Sequence, residues 1–239
     1  MEPPSEFLHW YVFPFSAASF LFVSYSILWI LKAWRETGKY PWKLKGFLYG
    51  LLALLVAGLL EIPLFQIFQI NPRLGVVLMG MFVGLIEEGS KLLPLRVRPE
   101  GGWRDWKKTV SASLFFGLLE AVFYIFQIAI MGVWVLIPVR LIVLFLHVAW
   151  TFIALTVLLV EGKMWGYLLA SVLHSLYDIP GLLYLGGISE VYFKAACILG
   201  LASYLPAVLA VKKVGEKAVI YMEEERIGIH LPKWFTSSP

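Results

Sequence analysis

The chain has 239 residues, of which 60% are hydrophobic and only 15% are charged. Its mean hydropathy of +0.79 lies far from the balance of a soluble domain, so the composition indicates a protein embedded in lipid. The net charge of +4 does not point to a nucleic acid partner, because basic residues in a membrane protein usually mark its cytoplasmic loops. A single cysteine, Cys197, excludes an intrachain disulfide framework and the paired-cysteine motifs of structural zinc sites.

Several apolar stretches have the length that a bilayer-spanning helix needs, about 20 residues. They cover roughly residues 7–31, 46–70, 74–94, 109–131, 133–160, 165–185 and 191–211. The segment from Met1 to Glu6 is acidic and lacks Lys and Arg, unlike the basic start of a signal peptide, so we expect the first helix to be retained. The sequence therefore predicts an all-α fold, a polytopic bundle of about seven transmembrane helices.

The basic residues alternate between the two sides of this predicted bundle. Lys and Arg concentrate in residues 32–45 and 96–108, at Lys163, and from Lys212 onward, whereas the other connections hold only Arg73 and Lys194. The positive-inside rule then predicts an N-terminus outside the cell and a C-terminus in the cytosol. We expect residues 1–239 to form a single integral membrane domain with residues 212–239 as a cytosolic tail.

Ionisable side chains inside the predicted helices are the feature that needs an explanation. They are Glu61, Glu87, Glu88, Lys91, Glu120, Arg140, His147, His174 and Asp178. The six charged groups of the third to sixth helices would together cost roughly 15 to 20 kcal/mol in lipid, more than the net stability of a typical fold. They are therefore expected to face inward and to partner one another.

Depth along the helices places most of these groups in one layer. Glu120, His147 and His174 each lie about 10 to 13 residues from the predicted cytosolic boundary of their helices, or roughly 10 to 20 Å at 1.5 Å per residue. Glu87 and Glu88 lie near the cytosolic end of the third helix, at a similar depth. The sequence thus predicts one polar layer in the cytosolic half of the membrane or near its midplane.

Three other ionisable residues are expected outside that layer. Glu61 is interpreted as a structural group in the outer half of the second helix, beside Pro63. His9 is expected at the membrane edge and His230 in the tail, as ordinary interfacial or surface histidines.

Helical spacing and charge refine the predicted cluster. Residues three, four or seven apart share a helix face, which aligns Glu87 with Lys91 and His174 with Asp178. Four carboxylates face only two permanent cations, so two negative charges remain uncompensated. Shared protons, a protonated imidazole or a divalent cation would each compensate them.

Four motifs follow one another on the third to sixth predicted helices. They are Glu87-Glu88-Gly-Ser-Lys91, then Phe116-Gly117 through Glu120 to Tyr124, then Arg140, His147 and Thr151, and finally His174 with Asp178. This series resembles the EExxK, Gly/Phe-rich, third and HxxxD motifs of the PrsW family, within the superfamily of CAAX-protease-like intramembrane proteins. The resemblance covers about residues 75–180 and departs from the pattern at Ala121, where many members have an amide.

The resemblance implies an intramembrane endopeptidase in the plasma membrane of a prokaryote, with residues 75–185 as its four-helix catalytic core. Its substrate would be a membrane-tethered protein, such as a single-span regulator, cut near the outer side of the membrane. The catalytic residues that it implies are Glu87, Glu88, Glu120, His147, His174 and Asp178, supported by Lys91, Arg140 and Thr151.

The chemistry of these side chains leaves several roles open. Glu87 or Glu88 would act as the general base that activates water, and His147 or His174 would stabilise the oxyanion. Glu120, His147 and His174 also form a two-His, one-Glu set that is able to bind a zinc ion.

Two other functions remain open from the sequence. One is a non-catalytic scaffold that binds partner transmembrane helices, since the Aph subunit of gamma-secretase also looks similar in span number and orientation. The other is a proton- or ion-coupled transporter, which the absence of evident inverted halves disfavours.

Overall fold

The structure, a computed structural model, describes residues 5–37, 44–97 and 100–226, and all of its regular secondary structure in these ranges is helical. The main helices are α1 (Phe13–Glu36), α2 (Leu44–Ile70), α3 (Pro72–Lys91), α4 (Gly102–Met131), α5 (Ile137–Glu161), α6 (Trp165–Leu185) and α7 (Glu190–Arg226). Short helical pieces precede α1 at Ser5–Phe7 and Leu8–Val12, follow α3 at Leu93–Val97, and precede α5 at Trp134–Leu136.

Six helical segments in the described residues are long and apolar enough to cross a membrane. They are Leu8–Glu36, Lys45–Ile70, Gly102–Met131, Trp134–Glu161, Trp165–Leu185 and Glu190–Glu224. Helix α3, the third of the seven predicted spans, is not among them. It is short, and it has three charged residues, Glu87, Glu88 and Lys91, at its C-terminal end. The chain is therefore an integral membrane helix bundle, while seven crossings and the direction of the termini stay predictions.

Five of the helices form a closed ring in the order α2, α4, α5, α6 and α3, with α3 packing back onto α2. Helices α1 and α7 pack together outside the ring and cover α5 and α6. Helix α5 therefore has neighbours on nearly every side, and all of residues 146–157 are buried. This position explains why α5 is apolar around most of its circumference.

Small residues bring the ring helices close together at the depth of the predicted polar layer. A Cβ atom on Gly84 would lie 2.2 Å from the carbonyl oxygen of Ser171, so α3 and α6 touch through their backbones. A Cβ atom on Gly117 would lie 2.8 Å from the carbonyl oxygen of Leu144, so α4 and α5 also touch through their backbones. Such close approaches are typical of membrane helices, where packing and hydrogen bonds drive association.

The connection between α2 and α3 is short and capped. The Asn71 side chain accepts a hydrogen bond from the Leu74 backbone nitrogen at 3.2 Å, and Pro72 occupies the first helical position. Asn at the cap and Pro directly after it are both favoured at helix starts. The turn therefore reverses the chain and sets α3 antiparallel to α2.

Helix α7 does not end at residue 212, where the sequence predicts the tail to begin. It continues without a break to Arg226, and Val214, Ala218 and Met222 are buried against the bundle. Glu161 at the end of α5 forms an ion pair with Lys217, which fastens the extension. The rest of the predicted tail, with His230 and Lys233, lies outside the described residues, as do the loop cations Lys39, Lys43 and Arg98.

Gly84→Ala should destabilise the bundle, because the added methyl group would collide with the backbone of α6. Overpacking of this kind costs about 1–3 kcal/mol, and we expect a melting temperature several degrees lower in detergent. Gly58→Ala is the matched control, since its Cβ would meet nothing within 4 Å. Equal melting temperatures for the two variants would show that the Gly84 contact does not set the helix spacing.

Candidate active site

Every helix of the ring contributes an ionisable side chain to one polar chamber. We use this name for Glu61 on α2, Glu87, Glu88 and Lys91 on α3, Glu120 on α4, Arg140, His147 and Thr151 on α5, and His174 and Asp178 on α6. All the predicted site residues are thus brought to the same chamber, although their catalytic roles stay predictions.

A buried ion pair lies at the centre of the chamber. The Lys91 ammonium group lies 2.6 Å from Glu88 Oε1, and both side chains are completely buried. Lys91 Nζ also lies 2.7 Å from His147 Nδ1 and 4.7 Å from the centroid of the Phe116 ring. A buried charge is tolerated only with such partners, since an isolated one would be strongly destabilising.

Both carboxylate oxygens of Glu88 accept hydrogen bonds. Besides Lys91, its Oε1 accepts a hydrogen bond from His174 Nδ1 at 2.9 Å, and its Oε2 accepts one from Thr151 Oγ1 at 3.3 Å. The Ser113 hydroxyl donates a hydrogen bond to Thr151 Oγ1 at 2.9 Å. Glu88 therefore anchors three helices rather than presenting a free oxygen.

The contacts of His147 fix its tautomer. An ammonium group can only donate, so Nδ1 accepts from Lys91 and the ring proton resides on Nε2. Nε2 then donates to Glu120 Oε2 at 2.6 Å. His147 is therefore a neutral link between the central ion pair and Glu120.

His174 is placed differently, because carboxylates face both of its nitrogens. Nδ1 contacts Glu88, and Nε2 lies 3.3 Å from Asp178 Oδ2, so the predicted orienting contact with Asp178 is present. An imidazole that donates from both nitrogens carries a positive charge. Its ring stacks on Trp150 with centroids 4.2 Å apart, a neighbour that the motifs did not indicate although Trp150 follows His147 by three residues.

Glu87 is almost fully buried, yet its Oε2 has no hydrogen-bond partner among the described residues. Three nitrogens surround this oxygen at the same distance of 3.7 Å, namely Lys91 Nζ, His147 Nδ1 and His174 Nε2. That distance is too long for a direct hydrogen bond. The two adjacent glutamates thus have opposite environments: Glu88 is saturated and Glu87 is open.

Glu61, interpreted from the sequence as a structural group outside the polar layer, lies near the rest of the chamber in the structure. Its Oε1 is buried without a hydrogen-bond partner among the described residues. Helices α2 and α4 run parallel, and Ala57 packs against Phe116. Glu61 lies one helical turn beyond Ala57, and Glu120 lies one turn beyond Phe116, so the two carboxylates are at the same level. Counting depth from the predicted helix boundaries did not reveal this.

Arg140, expected as a supporting residue, lies apart from the inner hydrogen bonds. Its guanidinium carbon is 3.5 Å from the centroid of the Tyr124 ring. Among the residues that the structure describes, no hydrogen bond or ion pair within 4.0 Å engages it.

Exposure increases from one end of the chamber to the other. Glu88, Lys91 and Thr151 are fully buried, whereas the side chains of Glu120 and Asp178 are 14% and 30% exposed. The exposed members lie toward the end of the bundle where the α2–α3 and α4–α5 connections are found. The exposed end of the chamber is therefore the one that the charge distribution predicts to face outward.

The predicted zinc set of Glu120, His147 and His174 is not the one that the structure assembles. The three residues able to share an ion are Glu87, His147 and His174, whose ligand atoms lie within 4.8 Å of one another. Glu120 instead holds the opposite nitrogen of His147. The Lys91 ammonium would repel a cation beside Nδ1, so the donor set does not fit a zinc ion well.

No protein-family model, curated protein or solved structure matches the chain. The fold and the chamber define an integral membrane helix bundle with a buried Glu/His/Lys cluster. The resemblance to the PrsW family stays a prediction from the four motifs.

Glu88→Gln should destabilise the folded protein far more than Glu87→Gln. Removing one partner of a buried ion pair costs about 3–5 kcal/mol, whereas the open oxygen of Glu87 forms no hydrogen bond that would be lost. Unfolding of the two purified variants in mixed detergent micelles measures the difference. Similar losses in both would contradict the assignment of Glu88 as the anchor.

Because Lys91 lies where a bound cation would be repelled, the purified protein should contain far less than one zinc ion per chain. Metal content by mass spectrometry after purification without chelator checks this. His147→Ala and His174→Ala serve as comparison variants. Stoichiometric zinc that disappears in both variants would overturn the expectation.

Proposed function

We propose that the chain is an intramembrane endopeptidase in which Glu87 activates a water molecule for attack on a peptide bond. The observation that carries this proposal is the open Oε2 of Glu87, surrounded by three nitrogens at 3.7 Å. Polar groups more than 3.5 Å apart, without a direct hydrogen bond, are candidates for contact through a water molecule. A bridging water at this position would touch both the base and the groups that polarise it.

The charge balance of the chamber supports Glu87 as the base. Five carboxylates face two permanent cations and one imidazole placed to be positive, so full ionisation leaves two negative charges in excess. Glu61 and Glu87 are the two with a buried, unpartnered oxygen. Proton uptake by Glu87 relieves part of the excess, which suits a general base.

The reaction is a simple hydrolysis in proton terms. Glu87 takes a proton from water, the resulting hydroxide attacks the carbonyl carbon, and the proton passes to the leaving amine nitrogen as the C–N bond breaks. Lys91 and the Nε2–H group of His174 lie next to Glu87 Oε2 and offer positive charge to the developing oxyanion. Glu120 holds His147 in its tautomer through the 2.6 Å contact.

The substrate is proposed to be a membrane-tethered protein, such as a single-span regulator in the plasma membrane of a prokaryote. A site enclosed by a ring of membrane helices is reached most readily from within the bilayer or from the open end of the chamber. The exposed end of the chamber supports a cut near the outer side, as the resemblance implies. The buried pair of Glu88 and Lys91 lies deeper.

Glu87→Gln should abolish cleavage while the protein remains folded, because an amide cannot accept the proton. The measurement compares new N-termini, by mass spectrometry, in membranes of cells that produce either the wild-type chain or the variant. Glu190→Gln is the matched control, since Glu190 pairs with Lys194 on the surface. Cleavage products that persist with Glu87→Gln would refute the proposed mechanism.

A transporter remains the second candidate because hydrogen bonds run continuously from Glu88 through Lys91 and His147 to Glu120. Such a chain can relay protons. Proton flux in reconstituted vesicles that is lost in Glu120→Gln would favour this function. Copurification with a larger complex, without proteolysis or flux, would favour the scaffold.

A further inference from the structure

Helices α2 and α4 are packed together along only part of their length. In the first half, a Cβ on Gly46 would lie 3.1 Å from Ser111, and Ala57 is buried against Phe116. Beyond Ala57 the residues of α2 are mostly exposed, among them Ile62 at 48% and Phe65 at 45%. The outer halves of the two helices therefore separate.

The facing surface of α4 shows the same gap. Val122 and Phe126 continue the helical stripe that begins at Ser111 and Phe115, yet they are 60% and 66% exposed. The gap thus leads from the lipid-facing surface of the bundle toward the level of Glu61 and Glu120.

Two groups of opposite charge at this level of the bundle, Glu61 and Arg140, form no hydrogen bond with the described residues. Glu61 Oε1 is a buried acceptor with no donor in the described part of the chain, and Arg140 is a guanidinium with no hydrogen bond or ion pair there within 4.0 Å. Glu61 lies level with Glu120, and Arg140 stacks on Tyr124 one helical turn beyond Glu120, with its guanidinium carbon 3.5 Å from the ring centroid. In a membrane, such groups are expensive unless something satisfies them.

We propose that Glu61 and Arg140 bind the unwound backbone of a transmembrane peptide that enters between the outer halves of α2 and α4. Glu61 accepts a hydrogen bond from a backbone N–H of the peptide, and Arg140 donates to a backbone carbonyl. The inference rests on the proposed function, because it describes how the substrate of that reaction is kept unwound.

The physical reason is the state that a peptide must reach before hydrolysis. A transmembrane helix satisfies its own N–H and C=O groups, and freeing them in hydrocarbon costs several kcal/mol for each group. A carboxylate that only accepts and a guanidinium that only donates replace the lost bonds in complementary fashion. Both are needed, because unwinding frees donors and acceptors together.

A phospholipid headgroup is the main competing ligand for Arg140. Its phosphate would pair with the guanidinium, but the phosphate itself only accepts hydrogen bonds and so does not satisfy Glu61, and the neighbouring carboxylates would repel it. An unwound peptide satisfies both groups, so it fits the observed pair better.

The test measures binding of two synthetic single-span peptides of about 20 apolar residues, one with a central Gly-Pro break and one continuous. The full chain carrying Glu87→Gln is reconstituted in nanodiscs of neutral lipid, so that binding is read without cleavage. We expect the broken peptide to bind about tenfold more tightly, the scale of one charge-assisted hydrogen bond. Glu61→Leu and Arg140→Gln should each reduce the preference to about twofold or less.

Conservative variants and surface controls separate a binding role from a structural one. Glu61→Gln keeps an acceptor and should retain part of the preference, while Arg73→Gln and Glu190→Gln remove exposed charges and should retain all of it. Thermal unfolding of every variant confirms that each is folded.

Several outcomes would overturn the inference. They are equal binding of the two peptides, a preference that survives both Glu61→Leu and Arg140→Gln, or Arg140-dependent displacement of the peptide by anionic lipid. A preserved preference without any Glu87-dependent cleavage would instead support the binding site and remove the proposed hydrolysis.

Discussion

The ion pair between Glu88 and Lys91 is the interaction on which the rest of the structure depends. Neither side chain touches solvent or lipid, and their 2.6 Å contact removes the cost of an isolated charge in an apolar bundle. The same two residues contact His147 and His174, so the pair joins α3 to α5 and α6. Close helix approach at Gly84 and Gly117 is what brings these groups within hydrogen-bonding distance.

Both oxygens of Glu88 accept hydrogen bonds, whereas its neighbour Glu87 has a buried oxygen with no hydrogen bond from the described residues. Glu87 lies in the same helical turn, but its Oε2 faces three nitrogens across 3.7 Å instead of bonding to any of them. One glutamate thus holds the helices together, while the other is left with an unsatisfied oxygen. A stable anchor beside an open carboxylate is the arrangement that the proposed water activation requires.

The sequence predicted which helices carry the site, because a charge in a lipid-spanning segment has to turn inward and find a partner. Contacts of His174 with Asp178 and of Lys91 with Glu87 followed from helical spacing. The position of Glu61 did not follow from the spacing. Nor did the finding that Glu87, and not Glu120, forms the group with His147 and His174 that is close enough to share an ion. Both depend on how far parallel helices are shifted along their axes and rotated, which no local pattern records.

Composition and periodicity by themselves determined an all-helical membrane bundle with an inward-facing polar layer, since hydrophobic length and the cost of buried charge are local properties. Only the tertiary structure decided that five helices close into a ring, that α2 supplies a fifth carboxylate, and that Glu88 is saturated while Glu87 is open. These features arise from contacts between residues far apart in the chain. A hydrogen bond or an ion pair depends on ångström-scale distances that packing alone sets.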